Sequence, residues 1–91
     1  MTFRQLLKAA SLTEQMVERR DGIRRMLGAK YETDVAPAKR IVRAVAERDR
    51  VSVIQAALRI CERAMAGGCG GAVGLVVSAA VELCEEGTVP E

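Results

Sequence analysis

Two long apolar runs, residues 53–66 and 72–86, constrain the fold more than any other feature of this sequence. They are separated by residues 67–71, which are four glycines around Cys69. At about 100° per residue, the polar positions of the first run fall within an arc of roughly 100°, which leaves most of its circumference apolar. A helix on the surface of a globular protein needs a much narrower apolar stripe. Other parts of the chain, or a partner, must therefore cover both runs.

The 91 residues are expected to form one domain, 1–91, because a chain of this length builds a single hydrophobic core. That core must consist of aliphatic side chains, since the chain has one Phe, one Tyr and no Trp. Small side chains reach normal packing density only when helices approach closely. We therefore predict an all-α fold, a compact bundle of about four to five helices with a C-terminal apolar helical hairpin. The predicted helices span about 3–10, 12–27, 35–48, 52–66 and 72–86.

Local signals mark the ends of several of these helices. Gly28 follows two arginines and a run of helical periodicity, which is a typical stop signal. Residues 29–36 are expected to form a connection that ends at Pro37, because proline suits a first helical turn but not a helix interior. Asp49 or Ser52 is expected to cap the next helix.

The last apolar run is rich in β-branched residues, so residues 72–81 would also suit a buried strand. Its length and the absence of a partner strand favour a helix. As a helix, the run carries a stripe of small residues along which another backbone could approach closely. We predict that this stripe forms the interface of a homodimer. The predicted interface comprises Gly70, Gly74, Val77, Ser78 and Val81.

Charge is distributed unevenly along the chain, although the net charge is only +2. Residues 1–30 hold seven basic and three acidic residues, whereas residues 64–91 hold four Glu and no basic residue. This asymmetry suits contact with nucleic acid, and it equally suits charge pairing within the chain or a solvated surface. We expect a basic surface that engages a protein partner with an acidic surface. It comprises Arg19, Arg20, Arg24, Arg25, Lys39, Arg40 and Arg43.

Residues 45–60 resemble the middle of a helix-turn-helix, with a small residue, a turn, an apolar residue and a Ser cap before the second helix. Arg50 stands where this motif usually has Gly, and the second helix offers only Gln55 and Arg59 to base edges. A DNA-binding regulator with a degenerate helix-turn-helix at 38–60 is therefore an alternative function. The candidate contacts to nucleic acid or to an acidic partner are Arg40, Arg43, Arg50, Gln55 and Arg59.

The chain lacks the residues that most catalytic and metal sites require. It has no His, and the spacing of Cys61, Cys69 and Cys84 matches no zinc site. Cys69 precedes a predicted helix, where a thiol can be activated, but no base accompanies it. The glycine segment lacks the remaining residues of a dinucleotide or phosphate loop. Glu82 and the other scattered carboxylates are expected to be solvated, so we predict no enzyme, no metal and no cofactor.

Residues 64–81 carry no charge, but their glycines make this stretch too weakly apolar for a membrane span. Cysteines without a pairing pattern are typical of a reducing cytoplasm. We expect a cytoplasmic protein-protein interaction module, an adaptor, regulator or inhibitor, that self-associates through its C-terminal helices. A phage or mobile-element accessory protein that inhibits a host factor is a further alternative, based on the size of the chain alone.

Overall fold

The computed structural model describes residues 14–68 and 70–87, and this part of the chain is helical with no β-strand. Helix α1 spans Glu14–Leu27, α2 Tyr31–Asp49, α3 Val53–Ala66 and α4 Val73–Gly87. Short 3-10 helices, Gly28–Lys30 and Gly70–Ala72, precede α2 and α4. The predicted all-α, compact fold is confirmed. The predicted helix 3–10 lies outside the described residues, so the predicted number of helices stays a prediction.

Helix α4 is the central helix and packs against each of the other three. Its middle is buried on all sides, since Ser78, Ala79, Ala80 and Val81 have no exposed surface. The two alanines allow neighbouring helices to approach closely, and a helix that is apolar on all faces is expected to be buried in this way. Residues 72–81 are thus helical rather than extended, and helices of the same chain cover the part from Ser78 to Val81. None of the described helices is both long enough and apolar enough to cross a membrane.

The core around α4 is built chiefly by α2 and α3. Their buried side chains are Tyr31, Val35, Val42, Ile54, Ala56, Ala57 and Cys61. Helix α1 contributes differently, because its apolar residues Met16, Ile23 and Leu27 are only partly buried against this core. The one buried residue of α1 is Arg20. Apolar burial therefore holds α2 and α3 against α4, whereas α1 also depends on a charged contact.

Helix α2 begins at Tyr31, earlier than the predicted start at residue 35, so the predicted connection 29–36 is mostly helical. Pro37 lies inside this helix rather than in its first turn, and its ring removes one backbone hydrogen bond. Tyr31 and Val35 are each 2 % exposed. Burial of these two side chains in the core holds the first turns of α2 in helical form despite Pro37, because tertiary packing outweighs a local signal.

The C-terminus of α1 and the N-terminus of α3 lie where the sequence signals predict them. Helix α1 ends just before Gly28, which has a φ of 57°. The side chain of Ser52 accepts a hydrogen bond from the backbone N–H of Gln55 (3.1 Å), and Oε1 of Gln55 accepts one from the backbone N–H of Ser52 (3.2 Å). This capping box satisfies two backbone donors at the start of α3. Of the two predicted caps, Asp49 and Ser52, the chain uses Ser52.

Two glycines inside helices have different surroundings. A Cβ atom at Gly22 in α1 would meet no atom within 4 Å, whereas a Cβ atom at Gly74 in α4 would lie 2.9 Å from Cδ1 of Ile23. Gly74 therefore marks a close approach of α1 to α4, and a larger residue fits there only if Ile23 moves.

Leucine substitutions at these two glycines should have opposite effects on stability. Gly22→Leu should raise the free energy of unfolding by about 0.5–1 kcal/mol, because leucine favours a helix over glycine. Gly74→Leu should lower it by about 1–3 kcal/mol, because the new side chain would overpack against Ile23. Urea denaturation followed by circular dichroism measures both changes. Equal stabilities of the two variants would contradict the close approach of α1 to α4.

Candidate functional site

A partly buried cluster of charged and polar side chains joins α1, α2 and α4. Nη1 of Arg20 donates hydrogen bonds to Oε2 of Glu82 (2.8 Å) and Oε1 of Glu85 (2.6 Å). The same oxygen of Glu82 accepts hydrogen bonds from Nη2 of Arg24 (2.9 Å) and the hydroxyl of Tyr31 (2.6 Å). Arg20 is 5 % exposed. We call these five residues the ion cluster.

Burial and hydrogen bonds shift the pKa values of Arg20, Arg24, Tyr31 and Glu82 away from neutral pH. Burial opposes ionisation of Glu82, but hydrogen bonds from Tyr31, Arg20 and Arg24 outweigh burial and hold the pKa of this carboxyl below its ordinary value. The hydrogen bond to Glu85 is the largest of the contributions that raise the pKa of Arg20. Burial, followed by the hydrogen bond to Glu82, raises the pKa of Tyr31. The cluster is therefore a fixed contact between helices rather than an acid/base pair.

The expectation that Glu82 is solvated is wrong, because its side chain is only 17 % exposed and lies among cations. The predicted basic surface is also partly used within the chain. Two of its seven residues belong to the ion cluster, and Lys39 and Arg43 form ion pairs with Glu86. The acidic end of α4 is thus neutralised by basic residues from α1 and α2, which is the intramolecular form of charge pairing.

An open groove of about 450 Å³ lies between α1 and the start of α4. Ile23, Leu27 and Leu75 give it apolar walls. Met26 also lines the groove and is 76 % exposed, the highest value among the large apolar side chains of the described chain. We call this surface the glycine groove. It is lined by Arg19, Ile23, Met26, Leu27, Asp34, Gly70, Gly71, Gly74 and Leu75.

The five residues predicted to form a dimer interface fall into two groups. Gly70 and Gly74 line the glycine groove. Val77 packs against the core, and Ser78 and Val81 have no exposed surface. The hydroxyl of Ser78 donates a hydrogen bond to the backbone oxygen of Gly74 (2.9 Å), so this buried group is satisfied within α4. Only the N-terminal end of the predicted stripe lines an open groove, because the same chain buries Ser78 and Val81 and partly buries Val77.

A three-residue turn, Arg50 to Ser52, joins α2 to α3. Arg50 has left-handed backbone angles (φ 55°, ψ 47°) and is the one non-glycine residue with positive φ among the described residues. This conformation costs an L-residue other than glycine about 1–2 kcal/mol. The backbone N–H of Val51 donates to the oxygen of Ala46 (3.1 Å) and closes the turn. Arg50 thus adopts the conformation for which a helix-turn-helix usually employs glycine.

The residues predicted to contact nucleic acid or an acidic partner are all exposed, namely Arg40, Arg43, Arg50, Gln55 and Arg59. Near the turn, Asp49 holds two guanidinium groups in place. Its carboxylate oxygens lie 2.8 Å from Nε of Arg48 and 2.8 Å from Nη1 of Arg59. Hydrogen bonds from these two arginines lower the pKa of Asp49 to about 2. A cleft of about 330 Å³ adjoins this trio, and Arg63 also lines it.

The described cysteines are packing residues. Cys61 and Cys84 are free thiols, and burial raises the pKa of each above the ordinary value. Both thiols therefore stay protonated at neutral pH and behave as small apolar side chains. Cys69 lies outside the described residues. In residues 14–68 and 70–87, no group of Cys, Asp or Glu side chains is arranged to hold a metal ion.

Sequence reasoning does not identify the ion cluster or the role of Met26. Arg20 and Glu82 are 62 residues apart in the chain, so no local pattern links them. The sequence does carry a weak signal for Met26. This residue lies about 60° from Ile23 around α1 and thus at the edge of the apolar face. A large apolar residue at that edge indicates a surface that something else could cover.

Comparison of the chain with protein-family models, with curated proteins and with solved structures gives no match. The surfaces described above are therefore the basis for a functional proposal.

Loss of Arg20 should destabilise the fold strongly. Arg20→Met would leave Glu82 without one of its cationic partners, and removing one partner of a buried ion pair costs about 3–5 kcal/mol. We expect about 3 kcal/mol, because Arg24 and Tyr31 remain in contact with Glu82. Arg25→Met, at an exposed arginine of the same helix, is the matched control and should change stability by less than about 0.5 kcal/mol. Similar losses in urea denaturation for both variants would contradict the role of the ion cluster.

Ionisation of Glu82 should link stability to pH. Because its pKa is lower in the folded than in the unfolded chain, Glu82 contributes fully above the unfolded pKa of about 4.3. That contribution is lost as the pH falls through the folded pKa. The stability difference between wild type and Glu82→Gln should therefore be largest near neutral pH and shrink below about pH 4.5. Denaturation midpoints across this range measure it, and Glu62→Gln, at an exposed carboxylate of α3, is the control. The same pH dependence for both variants would contradict the prediction.

Proposed function

We propose that this chain is a small helical protein-protein interaction module, an adaptor, regulator or inhibitor, that forms a homodimer through the glycine groove. Met26 is the observation that carries the proposal, because it is 76 % exposed beside an open groove with apolar walls. Contiguous apolar surface of this kind marks sites of protein association.

The groove adjoins a stretch of the chain without charge. The chain carries no charged residue from 64 to 81, and every described residue from 65 to 72 is exposed. Met65, which is 68 % exposed, stands in the last turn of α3, five residues before Gly70. Association would remove this surface from water, which contributes about 25 cal/mol for each Å² of apolar area. The uncharged end of the molecule is therefore suited to a partner rather than to solvent.

A second copy of the chain is the proposed occupant of the groove, because one copy carries both a projecting side chain and a floor that could receive it. Met26 provides a projecting apolar side chain, and the glycines provide a floor on which a side chain can rest. Arg19 and Asp34 also line the groove, and neither forms an ion pair with another described residue. In a two-fold dimer, any contact between two different residues occurs twice, so a pairing of Arg19 with Asp34 across the interface would give two ion pairs. Charge and shape thus both favour an isologous pair.

The remaining chemistry supports a binding role over catalysis. The chain has no His, and the carboxylates Glu82 and Glu85 are committed to the ion cluster. Free, protonated thiols at Cys61 and Cys84 are typical of a reducing compartment, which supports a cytoplasmic location. Exposed arginines of α1 and α2, such as Arg25 and Arg40, are available to an acidic partner of the dimer.

A charge at Met26 should dissociate the dimer. Wild type should be a dimer in light scattering at tens of micromolar, whereas Met26→Glu should be a monomer, because the glutamate would have to be desolvated in an apolar groove. Ile41→Glu is the matched control, since Ile41 is also a large exposed apolar residue (53 %) but lies on α2, outside the groove. This control should remain a dimer.

A second variant tests the floor of the groove without disturbing the fold. A Cβ atom at Gly71 would meet no atom within 4 Å, so Gly71→Gln should keep the stability of wild type and weaken the dimer. Gly74→Leu is a poorer choice, because it also clashes with Ile23 inside the chain. A wild-type monomer at all concentrations, or a Gly71→Gln dimer as tight as wild type, would overturn the proposal.

A further inference from the structure

The geometry of α2, the turn and α3 points to a second binding face on this molecule. We propose that these two helices bind duplex DNA as a helix-turn-helix, mainly through phosphate contacts, with Arg50 as a principal contact at the turn. This face is separate from the proposed dimer surface, because the cleft beside the turn and the glycine groove have no lining residue in common.

The turn has the connection that this motif requires. Three residues join the helices, the backbone N–H of Val51 bonds to Ala46, and the Ser52 capping box fixes where α3 begins. The second helix also has a solvent-facing polar strip. Its buried residues are Ile54, Ala56, Ala57 and Cys61, whereas Gln55 and Arg59 are exposed. Helix α3 can therefore bury its apolar face in the core and still present polar side chains to a DNA groove.

The strain at Arg50 is the observation that points to a ligand. Glycine would adopt this left-handed conformation without steric cost, yet the chain carries a long cationic side chain there. That side chain is exposed, and it forms no hydrogen bond or ion pair with another described residue. The guanidinium of Arg50 therefore makes no polar contact that stabilises the described fold. A contact outside the molecule explains why a strained position holds arginine.

The charges around the turn favour a polyanion. Asp49 stays ionised and holds Arg48 and Arg59 at 2.8 Å, so this trio keeps a net charge of +1. Arg50 and Arg63 add two further cations, and Glu62 is the other carboxylate beside the cleft. Cations presented on two helices and their turn match the phosphates that flank a groove of duplex DNA.

The capping box of Ser52 and Gln55 limits how α3 can recognise bases. Recognition of adenine by glutamine uses both the oxygen and the nitrogen of the side-chain amide. Oε1 of Gln55 already accepts the hydrogen bond of the Ser52 backbone, so only its nitrogen is available. Phosphate contacts should therefore supply most of the affinity, and discrimination between sequences should be small.

The test measures DNA binding and thermal stability on the same variants. Fluorescence anisotropy with a labelled 20-base-pair duplex of mixed sequence should show binding that weakens steeply between about 50 and 200 mM salt. Arg50→Gly should weaken binding roughly tenfold and lower the slope of log K against log salt by about one. The same variant should melt about 4–8 °C higher, because it relieves the strain. Arg50→Lys should restore most of the affinity.

Lys30→Ala is the matched control, since it removes one exposed positive charge at a residue that lines neither the cleft nor the glycine groove. Its affinity should stay within about twofold of wild type. Four outcomes would overturn the proposal: no binding by wild type at 50 mM salt, equal loss of affinity in Arg50→Gly and Lys30→Ala, binding of single strands as tight as duplex, or binding of polyglutamate as tight as DNA.

Discussion

The buried contact of Arg20 with Glu82 and Glu85 is the interaction on which the arrangement of the helices depends. Helix α1 buries no apolar residue completely, so its partly buried Ile23 and Leu27 would by themselves hold it only loosely. A buried guanidinium is unfavourable unless its donors are paired. The position of α1 on α4 that pairs these donors is therefore much more stable than positions in which α1 is shifted along α4. The planar fork of arginine adds directionality, because its parallel N–H groups match a carboxylate. The ion cluster therefore sets the register of α1 against α4.

This register determines which surfaces remain open. The glutamates at the end of α4 are neutralised within the chain, by Arg20 and Arg24 at one side and by Lys39 and Arg43 at the other. The start of α4 has no charges, and there Gly74 lets α1 approach closely while the glycines before it leave an open groove. One end of α4 is thus closed by ion pairs and the other end offers apolar surface. The two proposed binding faces depend on different interactions. The glycine groove depends on apolar burial, and the proposed DNA-binding face depends on the arginines around a strained turn.

Local signals predicted some elements well and failed at others for identifiable reasons. The capping box of Ser52 and Gln55 and the stop at Gly28 act within a few residues, so they are legible in the sequence and appear in the fold. Pro37 is also a local signal, but burial of Tyr31 and Val35 outweighs it, and α2 begins before the proline. Tertiary packing also divides the predicted interface stripe, which no local signal shows. Ser78 and Val81 are buried inside the single chain, whereas Gly70 and Gly74 line the glycine groove.

The sequence by itself favoured an all-α fold and determined that its last apolar run must be buried, because that run has helical length and no charge until Glu82. Only the structure of the described residues decided that residues 72–81 are helical rather than extended. The sequence also determined where α1 ends and where α3 begins, since caps and stop signals are contacts between residues close in the chain. Only the tertiary structure decided that Glu82 is partly buried among cations, that Met26 is left exposed and that Arg50 is strained. These outcomes depend on residues far apart in sequence or on the path of the backbone in space, and no short-range pattern encodes either.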